Sequence, residues 1–163
     1  MLKPKTQNLK PNSFTLIELL IVISITAILA TVGAMNLITY RQEKDLNFTV
    51  QEIITVLRNS QDRSIAQEEG SRWGIYFNNP IGDNNDFYEL FKGVNYVNST
   101  ISSRIALRSN IQFDTPSSNS SSSVIFTPIT GLPNTSTTIK ISLLGKPTSS
   151  STIIINTNGK ISF

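Results

Sequence analysis

The chain has 163 residues, no cysteine, no histidine and a formal net charge of +3. Without cysteine or histidine, disulfide bonds, Ser-His-Asp and Cys-His catalysis and the usual zinc sites are excluded, because each needs a soft ligand or a group that titrates near neutrality. Lys3, Lys5 and Lys10 precede a long apolar segment, and without them 11 basic residues face 11 acidic ones. The positive charge therefore belongs to residues 1–13, and the rest of the chain is neutral.

Residues 14–38 form an apolar segment that we predict to be a transmembrane helix. The 21 residues from Phe14 to Ala34 would rise about 30 Å as an α-helix, which is the thickness of the hydrocarbon core of a bilayer. Basic residues before such a segment hold that end in the cytoplasm, so the rest of the chain is expected outside the cytoplasmic membrane. Glu18 lies inside this segment, where a charge costs about 2.5 to 3.5 kcal/mol, so it is a candidate functional residue that needs a partner.

Residues 39–67 have the period of an amphipathic helix that packs on a folded domain. No proline lies between Asn12 and Pro80, so a single helix is predicted from about Phe14 to about Gln67, with Gly70 as its stop. The stripe expected to face the domain contains residues spaced by three and four: Leu46, Val50, Ile53, Ile54, Leu57, Gln61, Ser64 and Ile65.

Residues 68–163 are predicted to form an antiparallel β domain, as one sheet or a pair of sheets, which makes the fold class α+β. Asn158-Gly159 is a strong hairpin signal between the last two β segments. The serine-rich segments Thr115–Ser123 and Pro147–Thr152 are expected to be exposed loops, because they lack apolar side chains. The predicted β segments are Arg72–Phe77, Phe87–Phe91, Arg104–Leu107, Ile111–Phe113, Ser123–Phe126, Thr138–Leu143, Thr152–Asn156 and Lys160–Phe163.

Three further groups of residues have structural interpretations. Trp73 and Tyr76 lie on an alternating strand, where core packing is favoured over a binding surface. Residues 83–86 (DNND) carry oxygen ligands suited to calcium, but the spacing of a calcium loop is missing, so a solvated turn is predicted. Five scattered basic residues form no continuous track for phosphates, which disfavours DNA as a partner: Arg104, Arg108, Lys140, Lys146 and Lys160.

Residues 13–22 (SFTLIELLIV) resemble the cleavage and methylation signature of type IV pilins and pseudopilins. The resemblance combines a short basic leader, a small residue, a phenylalanine that opens the apolar segment, and a glutamate at the fifth position of the mature chain. Where the family usually has glycine, this chain has Ser13. Residues 71–77 (SRWGIYF), 126–131 (FTPITG) and 158–161 (NGKI) are similar to H-type minor pseudopilins and to the related pilins of DNA uptake.

This resemblance implies a structural subunit without a cofactor or a bound metal, and not an enzyme. A prepilin peptidase would remove residues 1–13 by cutting between Ser13 and Phe14, and the new terminus would be N-methylated. Before assembly the chain would contact membrane lipid and an inner-membrane assembly platform. It would then join other subunits in a type IV pilus or a secretion pseudopilus, at the cell surface or in the periplasm. Glu18 would pair with the Phe14 amine of a neighbouring subunit, which sets the depth of that neighbour.

Three alternatives remain open at the level of sequence. The chain could be a DNA-capturing minor pilin of a competence pilus, or a β domain held outside the membrane by a plain single-pass anchor. It could also carry an ordinary secretory signal cut after Ala34, although the apolar segment is longer than such signals and contains Glu18.

Overall fold

The structure is a computed structural model that describes residues 14–82, 85–96 and 100–163, with the backbone alone for residues 32–36. The chain divides into two compact units, Met1–Thr39 and Tyr40–Phe163. The second unit, called the head from here on, contains the end of the helix and all of the described strands.

The N-terminal helix α1 (Leu16–Ile65) has 50 residues, and its ends fall within two residues of the predicted ones. Among the described residues, no helix is both long and apolar enough to cross a membrane. Within the head, most of the predicted stripe is buried, including the fully enclosed Ile53 and Leu57. The prediction is wrong for Ile65, which is 43% exposed because it is the last residue of the helix, although its side chain contacts the loop at Gly131.

The end of α1 is fixed by a tight connection to the first strand. Gln67 and Glu69 both have left-handed backbone angles, which stop the helix before the predicted Gly70, and a single 3-10 turn follows at Glu68–Gly70. The Trp73 backbone N–H donates a 2.7 Å hydrogen bond to Ser64 Oγ, and Ser64 Oγ donates to Trp73 O at 3.2 Å. The buried Ser64 of the helix is thus paired with the chain that returns as a strand.

Two four-stranded antiparallel sheets make up the rest of the head, so the predicted antiparallel domain is confirmed as a pair of sheets. Each predicted β segment contains or overlaps one strand. The strands are β1 (Trp73–Asn79), β2 (Phe87–Lys92), β3 (Ile101–Ala106), β4 (Ile111–Thr115), β5 (Ser120–Phe126), β6 (Thr137–Leu143), β7 (Lys146–Ile155) and β8 (Ile161–Ser162). The first sheet has the order β3-β2-β1-β5, and the second has the order β4-β6-β7-β8.

A single apolar core joins the helix stripe to the inward side chains of both sheets. The two sheets meet at Phe77 of β1 and Phe113 of β4, whose rings pack edge to face with centroids 5.8 Å apart. Near this contact, Asn79 Nδ2 donates hydrogen bonds of 2.9 Å to Phe113 O and to Pro116 O, so a buried amide also connects the sheets. The head therefore has one core of its own, in which the second half of α1 takes part.

The prediction of loops is wrong for all of the second serine-rich segment and for part of the first, in which residues 116–119 do connect β4 to β5 and residues 117–119 are exposed. Residues Ser120–Ser123 belong to β5 and pair with β1, with Ser122 opposite Phe77. The second segment belongs to β7 and pairs with β6, with Thr152 opposite Lys140. Strand pairing uses backbone N–H and C=O groups, so a strand that lies beside an apolar one needs few apolar side chains of its own.

The predicted hairpin at Asn158-Gly159 is confirmed and joins β7 to β8. Asn156 N donates to Lys160 O at 3.0 Å, and Gly159 N donates to Asn156 O at 2.9 Å. Gly159 has a φ of 81°, a left-handed angle that glycine adopts without the steric cost of a side chain. The turn therefore needs the glycine that the sequence supplies.

Candidate functional site

The first part of α1 presents an apolar surface with no cover from the described chain. Every side chain from Phe14 to Thr31 is exposed, and the large apolar ones range from 49% exposed at Leu20 and Val22 to 81% at Leu16. Contiguous apolar surface of this kind marks a site of interaction with other proteins or with lipid. The candidate site is therefore this segment together with the residues that begin it.

The hydroxyl side chains of this segment form hydrogen bonds with backbone carbonyl groups of their own helix. Ser24 Oγ, Thr26 Oγ1 and Thr31 Oγ1 each donate to the carbonyl oxygen four residues earlier, at 2.7, 2.9 and 2.9 Å respectively. Because the hydroxyl hydrogens are used within the helix, they are not available for bonds to a neighbouring chain. What the segment offers to a neighbour is therefore mainly hydrocarbon.

Glu18, the predicted assembly residue, lies in the first turn of α1 and forms a reciprocal cap with Thr15. The Glu18 backbone N–H donates to Thr15 Oγ1 at 3.3 Å, and the Thr15 backbone N–H donates to Glu18 Oε2 at 3.4 Å. This is the capping box, in which a threonine at the helix start and a glutamate three residues later satisfy each other's free N–H groups. The structure thus assigns Glu18 a contact within its own chain that our sequence analysis missed, although the T-x-x-E pattern was available.

The predicted cleavage position is described on one side only. Ser13 lies outside the described residues, whereas Phe14 is 79% exposed and, with Thr15, precedes the first residue of α1. A carboxylate in the first turn interacts favourably with the positive end of the helix dipole. The start of α1 therefore combines an exposed aromatic residue, a capped helix end and one carboxylate within five residues.

Trp73 and Tyr76 take different positions on β1. The prediction of core packing is confirmed for Trp73, which is 1% exposed and has the Arg63 guanidinium 4.6 Å from its ring. Tyr76 is half-buried and stacks on Tyr96, with ring centroids 3.7 Å apart and nearly parallel planes. Neither side chain forms an open binding surface in the head.

Glu89 is a buried carboxylate that the sequence analysis did not identify. It lies on β2 opposite Arg104 of β3, whose Nε is 3.6 Å from Glu89 Oε1, and it accepts a hydrogen bond from the Tyr96 hydroxyl. Burial, followed by the hydrogen bond to Glu89, raises the pKa of Tyr96 to about 12, so this phenol stays protonated at neutral pH. The group of residues fastens the connection after β2 onto the sheet.

The acidic turn at residues 83–86 is only partly a solvated turn. Asp83 and Asn84 lie outside the described residues, and Asn85 is exposed. The prediction is wrong for Asp86, which is 4% exposed and accepts a 2.6 Å hydrogen bond from the Phe113 backbone N–H. Burial raises the pKa of Asp86, and the hydrogen bond from Phe113 lowers it by a smaller amount. In the described part of the chain, no group of three or more potential metal ligands occurs.

The basic residues weighed for DNA binding are mostly engaged with partners in the head. Three of them form ion pairs of 3.2 to 3.6 Å, and a fourth donates a 3.0 Å hydrogen bond to a glutamine. Such pairing reduces the positive potential that a phosphate backbone would meet. The pairs are Arg104 with Glu89, Arg108 with Asp45, Lys140 with Asp114, and Lys146 with Gln42.

Comparison with known proteins gives one match, and it covers the candidate site. The family model of the prokaryotic N-terminal methylation motif matches residues 10–34, which include Ser13, Phe14 and Glu18. The comparisons with curated proteins and with solved structures gave no match. The motif indicates a prepilin-like protein of the type IV pilin and pseudopilin kind, and it points to a structural subunit rather than an enzyme.

Proposed function

We propose that the chain is a minor subunit of a type IV pilus or of a secretion pseudopilus, cut between Ser13 and Phe14 by a prepilin peptidase. The observation that carries this proposal is the uncovered apolar start of α1 at the position of the methylation motif. In such a filament the segments of many subunits pack on one another and cover the surface that each leaves open. Before assembly, residues 14–38 would rest in the cytoplasmic membrane, with the head outside it.

Glu18 would act in assembly as the partner of a charged chain end. Cleavage before Phe14 creates an ammonium group, and burying it in an apolar filament core is costly unless an opposite charge lies beside it. Glu18 is the one charged residue between Lys10 and Arg41, so it is the only acidic partner that this segment supplies. The pair would fix how deeply a neighbouring subunit sits.

Cleavage is tested by producing the full chain together with a prepilin peptidase and measuring its intact mass. We expect a product that begins at Phe14 and carries one added methyl group. A chain that keeps residues 1–13, or one that is cut after Ala34, contradicts the processing step. The peptidase-free sample is the matched control.

The role of Glu18 is tested by Glu18→Gln and Glu18→Asp, measured in sheared filaments against membrane fractions. Glutamine keeps the capping box, because it accepts the same backbone bond, but it removes the charge. We expect normal processing and membrane levels for Glu18→Gln with loss of incorporation, and partial incorporation for Glu18→Asp. Incorporation of Glu18→Gln at the level of the parent contradicts the pairing.

DNA capture by a competence pilus is the second candidate, and the engaged basic residues of the head do not favour it. A plain single-pass anchor is the third, and it predicts no cleavage before Phe14 and no dependence on Glu18. The identity of the neighbouring genes separates a pilus, a secretion system and a DNA-uptake machine.

A further inference from the structure

A polar cleft of about 350 Å³ lies beside the contact between the two sheets, and its size is within the range of small-molecule sites. Its walls come from the end of β1 and the turn after it, the strand β4, the connection to β5 and the turn after β6. The lining residues that carry its chemistry are Asn79, Asp86, Gln112, Asp114, Ser118 and Leu144.

Two nearly buried side chains, Asp86 and Asn79, are held at the wall of this cleft by the same residue of β4. Asp86 Oδ2 accepts a 2.6 Å hydrogen bond from the Phe113 N–H, and Asn79 Nδ2 donates a 2.9 Å hydrogen bond to the Phe113 carbonyl oxygen. The N–H and C=O groups of one strand residue point to the same side of the strand, so the two side chains are neighbours. Their exposed fractions are only 4% and 7%, which fixes both side chains in place.

Each of these two side chains keeps one oxygen free for a ligand. Asp86 Oδ1 and Asn79 Oδ1 accept no hydrogen bond from the residues that the structure describes. They are not sealed in the core, because the buried side-chain atoms without a partner in that part of the chain are Ser60 Oγ and the Tyr88 hydroxyl oxygen. Both side chains line the cleft, so a ligand with N–H donors would supply the bonds that these acceptors lack.

The uncompensated negative charge of the cleft lies on Asp86. The charged residues that line the cleft are Asp86 and Asp114. Asp114 already has partners on β6, because Ser142 Oγ donates to its Oδ1 at 2.8 Å and Lys140 Nζ lies 3.4 Å from its Oδ2. Within the described ranges, no cation lies within ion-pair distance of Asp86. A desolvated carboxylate without a cation favours a positively charged ligand.

We propose that this cleft binds an organic cation, whose ammonium or guanidinium group donates hydrogen bonds to Asp86 Oδ1 and Asn79 Oδ1. Hydrogen bonds from a charged donor to a carboxylate are roughly twice as strong as neutral ones. Leu144, which is 43% exposed, offers an apolar surface to the hydrocarbon part of such a ligand. A metal ion fits less well, because the described residues contain no group of three or more acidic side chains that could hold one. The proposal depends neither on processing nor on filament assembly.

Amide NMR spectra of the full chain in a neutral detergent, recorded with increasing butylammonium, test the proposal directly. We expect the amide signals of Asp86 and Phe113 to shift and to saturate, because the ligand binds beside both residues. Methylguanidinium is expected to shift the same signals. Butanol has the same hydrocarbon part without the charge, so it is the matched control and should leave these signals unchanged at equal concentration.

A capped tripeptide with a central lysine separates two sources of the cation. Binding at least as tight as that of butylammonium would assign the group to a side chain of another protein, whereas weaker binding would assign it to a free amine. The same peptide with glutamine in place of lysine is the control, and we expect it not to bind.

Asp86→Asn tests the charge of the site, because asparagine still offers an acceptor to the Phe113 N–H. We expect the dissociation constant of butylammonium to rise at least about tenfold. Glu89→Gln is the matched control, since Glu89 is also a buried carboxylate, 1% exposed, but does not line the cleft. It should leave the dissociation constant unchanged, and thermal melting establishes that each variant is folded.

Leu144→Lys tests the same site with Asp86 in place. The added ammonium group would reach the cleft from its wall, so we expect it to occupy the site and to weaken butylammonium binding at least about tenfold. Leu132→Lys adds the same charge outside the cleft, at a leucine of similar exposure, 41% against 43%. This control should bind butylammonium as the parent does.

Three results would overturn the proposal. The first is that neither cation shifts the Asp86 and Phe113 signals, and the second is that butanol shifts them as much as butylammonium. The third is that calcium binds at these signals more tightly than both organic cations, which would indicate a metal site. Should Asp86→Asn fail to fold, Leu144→Lys decides, and an unchanged dissociation constant in that variant also contradicts the proposal.

Discussion

The first part of the N-terminal segment is more apolar than the buried second part of α1, and the two also differ in where their partners come from. From Phe14 to Thr31 no side chain is buried, whereas from Leu46 to Ser64 the stripe is enclosed by the sheets of the head. Helices in proteins gain most of their stability from packing of an apolar face rather than from propensity. The second part is therefore stabilised by its own chain, while the first needs contacts that the described part of the chain does not supply.

The largest expected effect comes from removing one part of the helix or the other. A fragment of residues 39–163 should melt cooperatively, whereas a fragment of residues 68–163 should not fold. The second fragment loses five fully or nearly buried aliphatic side chains, worth on the order of 10 kcal/mol, which is comparable to the whole stability of a domain. Circular dichroism and thermal melting compare the two, and cooperative melting of the shorter fragment would show that the helix is not part of the core.

Matched substitutions sharpen the same comparison within the full chain. Ile53→Ala removes a side chain with no exposed surface and should cost about 2 to 5 kcal/mol of unfolding free energy. Ile21→Ala, at a side chain that is 51% exposed, should change it by no more than about 0.5 kcal/mol. Denaturant unfolding in detergent measures both, and equal losses would mean that Ile21 is packed in the isolated chain.

A smaller effect is expected at the first turn of α1. Thr15→Ala removes the capping hydroxyl and should destabilise the helix start by about 0.5 to 2 kcal/mol, with faster amide hydrogen exchange at residues 16–19. Glu18→Gln should leave that exchange rate nearly unchanged, because the capping box accepts glutamine. Fast exchange in Glu18→Gln and slow exchange in Thr15→Ala would show that the cap does not hold the helix start.

The smallest effect is expected at Asp86 of the head. This carboxylate is buried, whereas the carboxylate of Glu18 is exposed. Because burial raises the folded-state pKa of Asp86 above its unfolded value of 3.8, this group stabilises the head below that pH, and the contribution is lost as pH rises through the raised pKa. Asp86→Asn keeps an acceptor for the Phe113 N–H and removes the titration. The melting temperature of the variant should therefore fall less than that of the parent over this window, and an identical pH profile would exclude Asp86 as the source.

Local patterns were sufficient to predict α1 and at least part of every described strand, because helix and strand periods are properties of neighbouring residues. The stripe that contains Ile53 and Leu57 was identified by its spacing alone. The serine-rich parts of β5 and β7 were missed because their side chains carry no apolar signal, and these strands are held by pairing with β1 and β6.

The errors at single residues have a common physical cause. Asp86 and Glu89 are buried by segments far away in the sequence, and no pattern around either residue shows that Phe113 or Tyr96 will contact it. The cap at Thr15 is different, since its signal is local.

The hydrogen bonds between Thr15 and Glu18 are long, which bears on how Glu18 could change partners during the proposed assembly. At 3.3 to 3.5 Å they lie at the weak end of hydrogen bonding, so the carboxylate can leave its own helix at little cost. Under the proposed function, cleavage before Phe14 would form an ammonium group next to Thr15, whose own N–H donates to Glu18 Oε2 at 3.4 Å. A free subunit would then form this charge pair within its own chain, and joining the proposed filament would replace it by a pair between subunits. In that case the net driving force of assembly would come from covering the apolar surface, and the ion pairs would determine only the register between subunits.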